Sequence, residues 1–163
     1  MGRENMSKIE KPTIIESAGN KPKIIEIKSY ADAVLDALND LLPQLSASPR
    51  RLSEQDLRAI IRSDTTHLLM VEEDDGYIGS LTLVVFTIPS GNRARIEDLV
   101  VQETARGRGV GRSLVQTAIE MAKTLGAEAV DLTTNSSREA ANQLYKRLGF
   151  LRRETHVYRR KVS

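Results

Sequence analysis

Stretches in which apolar residues recur every three or four positions alternate along this chain with shorter runs of Ile, Val, Leu and Thr, the two periods of helix and strand. Ile24, Ile25 and Ile27 mark a first strand over Lys23 to Lys28. Val34, Leu38, Leu41 and Leu45 then trace one helix face from Tyr30, and Pro43 ends or kinks that helix by biasing Leu42 away from helical angles. Ser53 with Asp56 three residues on is a variant of the capping pattern; it opens a second helix with Leu57, Ile60 and Ile61 inward, stopping near Ser63. His67 to Glu73 and Tyr77 to Ile88 read as strands joined through Asp74-Asp75-Gly76, a hairpin. The loop Pro89-Ser90-Gly91-Asn92 leads into a strand over Arg93 to Val101. Val110, Leu114, Ala118, Met121 and Leu125 line the longest helix, which Gly126 can close in the left-handed conformation. A strand over Glu128 to Thr134 follows. Ser136 with Glu139 forms a capping box before a helix whose inner face is Ala141, Leu144, Tyr145 and Leu148 and whose stop is Gly149. Phe150 to Val162 supplies terminal strands. The predicted order is β, α, α, β, β, β, α, β, α, β, without internal repeat.

That order calls for an α/β (α+β) domain, and 163 residues with 40% hydrophobic content suffice for one core without disulfide or metal staples. Residues 1–22 lack sustained periodicity, apart from a short strand-like Thr13-Ile14-Ile15, and are expected to be a flexible N-terminal extension to a domain over 23–163. No run approaches the ~20 apolar residues of a membrane span, and the first residues lack a signal's apolar middle, so a cytoplasmic protein without membrane contact is expected. Cysteine is absent, which excludes a cysteine-bound acyl intermediate and thiolate metal ligands. His67 and His156 have no partner at ligand spacing, so no metal is expected.

The net charge of +2 is unevenly spread. Asp64, Glu72, Glu73, Asp74 and Asp75 form an acidic stretch with no cation among them, whereas Lys146, Arg147, Arg152, Arg153, Arg159, Arg160 and Lys161 face only Glu154. Alternating charge on a strand is commonly a solvated face, and base-stacking aromatics are scarce, which disfavours nucleic acid as a partner.

The densest chemistry lies at Arg106-Gly107-Arg108-Gly109-Val110-Gly111-Arg112-Ser113, between a strand and a helix. Gly107, Gly109 and Gly111 allow unusual backbone angles, so successive amides can approach an anion at the positive end of the helix. Arg106, Arg108 and Arg112 add side-chain charge. A dinucleotide fingerprint needs glycine where Arg112 stands, and a nucleotide P-loop needs a Gly-Lys-Ser/Thr ending. Neither fits.

Arg106-Gly107-Arg108-Gly109-Val110-Gly111 resembles the signature of the GNAT superfamily of N-acetyltransferases: Arg or Gln, two residues, Gly, one residue, Gly or Ala. Leu144-Tyr145-Lys146-Arg147-Leu148-Gly149-Phe150 is similar to its second signature, Leu-Tyr followed by Gly-Phe. The resemblance implies a central, mostly antiparallel twisted sheet of six to seven strands flanked by about four helices. It implies acetyl-CoA as acyl donor, its pantetheine arm lying along the backbone of Leu99, Val100 and Val101 as an added strand, with Arg106 to Ser113 holding the diphosphate. Where such proteins often carry Asn, seven residues before the helix tyrosine, this chain has Arg138; Asn135 and Asn142 are the nearby candidates for that cofactor contact.

Only a neutral amine attacks a thioester, and an alkyl ammonium with a pKa near ~10 is mostly charged at pH 7, so a proton acceptor is useful. Glu97, two residues before Leu99 and so expected on its face, is the candidate base. Ile96-Glu97-Asp98 looks like the corresponding strand of glucosamine-phosphate acetyltransferases, which implies that Glu97 and Asp98 meet the acceptor; pairing of Glu97 with Arg95 or Arg93 is the alternative. Tyr145 taken alone reads as a core tyrosine, and the resemblance makes it the general acid for the leaving thiolate. The expected activity is direct acetyl transfer to a primary amine of a small molecule or protein. A non-catalytic acetyl-CoA sensor is the alternative, and homodimerisation through the terminal strands is open.

Overall fold

Six hydrogen-bonded strands form a single sheet in chain order. The computed structural model describes residues 13–15, 22–45, 50–74 and 76–162. Among these, β1 is Thr13–Ile15, β2 Lys23–Glu26, β3 Thr66–Glu73, β4 Gly76–Ile88, β5 Gly91–Val101 and β6 Ala129–Leu132. The helices are α1 Asp32–Leu41, α2 Glu54–Arg62, α3 Val110–Thr124 and α4 Glu139–Arg147. All strand pairs are antiparallel except β5 with β6, which α3 joins as a parallel crossover. Most of residues 1–22, the expected extension, lies outside the described residues; its Thr13–Ile15 pairs with Ile24–Glu26. The described chain divides after Thr133 into two compact units.

In the first unit the sheet is covered on both faces, because its strands present apolar residues in both directions. Ile25, Leu68, Met70 and Val100 pack with Val34, Leu38 and Leu41 of α1 and Leu57 of α2. Leu69, Val71, Leu81 and Leu83, which alternate with that set along β3 and β4, are fully buried, as are Leu114, Val115 and Ala118 of α3, which packs on β3, β4 and β5. Gly79 permits that approach: a Cβ there would stand 3.4 Å from side chains of Val110 and Leu114 and 3.1 Å from the Val100 carbonyl. Local chemistry sets the helix ends. Ser53 and Asp56 form the expected reciprocal capping box on α2. Pro43 falls in a 3-10 turn, Leu42–Gln44, that follows α1. At the end of α3, Gly126 at φ 80° lets Ala127 N–H donate to Ala122 O and its own N–H to Lys123 O.

The second unit carries α4 and departs from expectation twice. Ser136 does not cap α4: Arg138 precedes the helix, and the Asn135 side chain instead accepts from the Ser137 N–H at 3.0 Å. An Asx-type turn on Asn135 shapes this segment instead, and α4 begins two residues later than a box on Ser136 would set it. The predicted terminal strands are also absent among described residues, so the domain over 23–163 contributes five strands to the sheet rather than six to seven. Residues 151–162 are all exposed. Leu151 and Val157 fall on one parity and Tyr158 and Val162 on the other, separated by arginines, so no strand face collects enough apolar area to offset ordering the backbone.

Candidate functional site at the β5 to α3 turn

β5 passes through a 3-10 turn, Glu103–Ala105, into a loop that enters α3 at Gly109. Gly107 and Gly109 have φ of 76° and 83°, the left-handed region that side chains rarely adopt, and nothing lies within 4 Å of a Cβ built on either. Gly111 differs from expectation: it sits inside α3 with no positive φ, so two glycines shape the turn and not three. The first helical bond is Ser113 N–H to Gly109 O. Among the described residues, no protein acceptor takes the backbone N–H groups of residues 107–112. Such a row of free donors at a helix mouth fits an anion, and the open space beside both glycines leaves it room.

The three arginines of the turn differ. Arg106 donates to the Val101 carbonyl at 3.2 Å and to Gln44 Oε1 at 3.3 Å, and Gln44 Oε1 also accepts the Glu103 N–H. Arg108 forms a two-pronged pair with Glu73 at the end of β3, one prong at 3.1 Å. The pair holds the Glu73 carboxyl below its usual range, through hydrogen bonding first and charge second. Arg112 is exposed and has no partner among the described residues. Gln44 and Glu73 escaped the sequence reading; the only signal for Glu73 was an acidic stretch lacking a local cation, which Arg108 supplies from 35 residues away. Both residues line one cavity of about 460 Å³, together with Asp40, Tyr77 and Gln102.

Pairing of β5 with β6 ends at Ile96 with Leu132, so the β6 side of Glu97 to Val101 is a free strand edge among the described residues. A bulge interrupts β5 there: Thr82 pairs with Glu97 but Ser80 with Val100, so Asp98 and Leu99 stand against the single residue Leu81. Glu97 therefore shares a face with Val100 rather than Leu99, which overturns the expectation from plain alternation. Asp98 takes up the extra residue at φ 49°, a conformation that Asp tolerates better than most side chains. Partial desolvation and the neighbouring Glu97 carboxylate push the Asp98 carboxyl up. One oxygen of Glu97 is engaged by Arg95 Nε, the alternative weighed above, while its other oxygen has no partner among the described residues.

In the second unit, Gly149 at φ 85° closes α4: its N–H donates to Lys146 O at 3.1 Å, and the Phe150 N–H to Tyr145 O at 3.0 Å. This reversal swings the Phe150 ring edge-on to Tyr145, centroids 5.8 Å apart. The Leu-Tyr and Gly-Phe elements are thus one helix-ending device that holds the tyrosine. Burial pushes the Tyr145 phenol up, against a smaller opposing effect of Arg138, and its hydroxyl has no partner among the described residues. Asn142 Nδ2 donates to the carbonyls of Asn135 and Arg138, both at 2.9 Å, so the two candidate asparagines fasten the loop to the helix.

A sequence model of the acetyltransferase (GNAT) family matches residues 32–150, a span holding both the turn and the tyrosine device. The chain belongs to the GNAT family. Glucosamine 6-phosphate N-acetyltransferase 1 of Oryza sativa subsp. japonica is 32% identical to this GNAT chain over 127 residues, 72% of the chain and 74% of that protein. The uncharacterized N-acetyltransferase MJ1207 of Methanocaldococcus jannaschii is 41% identical over 61 residues, 37% of the chain; the match spans only 27% of that relative. The structure of AAC(6')-Iy in complex with a bisubstrate analogue, CoA-S-monomethyl-acetylneamine, superposes with a TM-score of 0.70 at 19% identity, covering 86% of this chain and 97% of that one. At that identity the likeness is one of fold. No helix among the described residues is long and apolar enough to cross a membrane.

Proposed function

We propose that this GNAT protein is an N-acetyltransferase that moves the acetyl group of acetyl-CoA directly onto a primary amine in a ternary complex. The observation that carries the reading is the row of backbone N–H groups from Gly107 to Arg112 that no acceptor among the described residues takes, beside a strand edge at Leu99 to Val101 that is free among those residues. The row suits a diphosphate and the edge suits the amides of a pantetheine arm. With no cysteine in the chain, the acetyl group passes to the amine without an enzyme thioester.

The amine nitrogen attacks the thioester carbonyl carbon and gives up a proton, the C–S bond breaks, and the departing thiolate takes a proton. Glu97 accepts the amine's proton, directly or through water, at the oxygen that Arg95 leaves free, and Asp98 meets the acceptor's cationic form. Tyr145 protonates the thiolate; a phenol with its ordinary pKa of 10.0 carries its proton at neutral pH, and burial shifts it further in that direction. Asn135 and Asn142 contact the cofactor by way of the loop they fasten. The rice relative is named for an amino-sugar phosphate and AAC(6')-Iy was solved with an aminoglycoside-derived analogue, which puts amino sugars first among acceptors to screen.

Amine-dependent thiol release from acetyl-CoA, measured across amino sugars, aminoglycosides, polyamines and peptides, tests the reading. In Tyr145→Phe, turnover on the best amine is expected to fall about 100-fold, within the usual range for general acid catalysis, with acetyl-CoA affinity within about twofold of wild type. Turnover equal to wild type under chemistry-limited conditions removes Tyr145 from the mechanism.

A further inference from the structure

The phosphate turn carries three guanidinium groups, and among the described residues Arg106 and Arg108 have partners whereas Arg112 has none. We propose a division of labour that rests on the acetyl-CoA reading: Glu73, through Arg108, is a positioning residue for the turn, and Arg112 is the arginine that supplies charge to the bound diphosphate.

Three features support it. Arg108 lies between the two left-handed glycines, the stretch with the weakest intrinsic preference for one conformation and the largest entropy to lose on ordering. A planar fork-to-fork pair fixes direction as well as distance, so Glu73 at the end of β3 holds Arg108 on the sheet. A guanidinium already facing a carboxylate offers an incoming phosphate little net charge, because the paired anion opposes it. Arg112, in the first turn of α3, has no such competitor among the described residues. Arg106 differs from both: Gln44 Oε1 and the Val101 carbonyl are neutral acceptors that fix its direction without opposing its charge, so it backs the turn while Arg112 is free to swing onto the phosphates.

Calorimetric titration with acetyl-CoA at low and high salt, with steady-state kinetics, separates the roles. Arg112→Gln is expected to weaken acetyl-CoA about tenfold and to flatten the salt dependence, the loss of one charge-assisted contact. Glu73→Gln and Arg108→Gln are each expected to raise KM for acetyl-CoA severalfold while kcat stays within about twofold, and the double variant to be no worse than either single one. The reversed pair, Glu73→Arg with Arg108→Glu, is expected to recover affinity, an outcome that loss of folding would not give. Unchanged or tighter binding in Glu73→Gln combined with weaker binding in Arg108→Gln overturns the proposal, since Arg108 is then itself the phosphate ligand. So does wild-type affinity in Arg112→Gln. If folded wild-type protein shows no affinity for acetyl-CoA, the acetyltransferase reading itself fails, and the variants are not what decides it.

Discussion

Glu26 is buried on β2, 6% exposed, and its Oε1 accepts from both Lys28 and His67 Nδ1, the latter at 2.7 Å. Burial alone would raise its carboxyl pKa, but the hydrogen bonds from His67 and Lys28 outweigh burial and hold it below the ordinary value of 4.5. A carboxyl depressed in the folded state binds protons more readily when unfolded. Its stabilising contribution is therefore complete above the unfolded value and is lost as pH falls through the folded one. Glu26→Gln is expected to cost about 1 to 2 kcal/mol at pH 7, where a neutral acceptor replaces a charged one, and to flatten the decline in stability below about pH 4.5. Urea unfolding followed by circular dichroism across that range checks both; a variant whose acid limb matches wild type shows that other carboxylates govern it. The same residue scale limited the sequence reading. His67 and Glu26 are 41 positions apart and meet only through the β2 to β3 register, and Glu73 meets Arg108 in the same long-range way.

Elements were legible wherever a signal was local. The Ser53 box, the antiparallel pairing of β3 with β4 and the glycine ends of α3 and α4 are each written within a few residues, and each forms where its pattern predicts. The β5 bulge was not legible, because one extra residue in a strand leaves no mark in the alternation of Ile96, Glu97, Asp98 and Leu99; its consequence was the wrong face for Leu99. The terminal strands failed for the opposite reason: β-forming residues were present, but their parity gives no apolar face. The α4 ending makes a prediction at this scale. Gly149→Ala forces a side chain to φ 85° and is expected to cost about 1 kcal/mol, fraying the last turn that presents Tyr145. Phe150→Leu keeps the cap and removes only the edge-to-face contact, so it is expected to lower turnover severalfold with little loss of stability. Thermal melts beside turnover distinguish them; equal losses of stability in both variants contradict separate roles for cap and ring.

For the molecule as a whole, the sheet is continuous from β1 to β6 but opens after Ile96 and Leu132, leaving Glu97 to Val101 bonded to β4 on one side only. An open edge normally invites another strand, and here it lies beside a turn whose amides are also unclaimed. One extended ligand with a diphosphate could satisfy both sets of donors at once, and such linkage stabilises the fold by mass action. At a free concentration about 100 times its Kd, acetyl-CoA is expected to add about 2.7 kcal/mol, raising Tm by roughly 5 to 10 °C for a chain of this size. Amide hydrogen exchange should localise that gain. Slowing is expected at the N–H groups of Glu97 to Val101 that point away from β4 and across residues 107–112, whereas the interior of β3, bonded on both sides without the ligand, should change only through the global term. A rise in Tm with protection spread evenly over the sheet would mean that the ligand stabilises the protein from somewhere other than this opening, and the strand-edge part of the cofactor reading would then be wrong even if the turn binds phosphate.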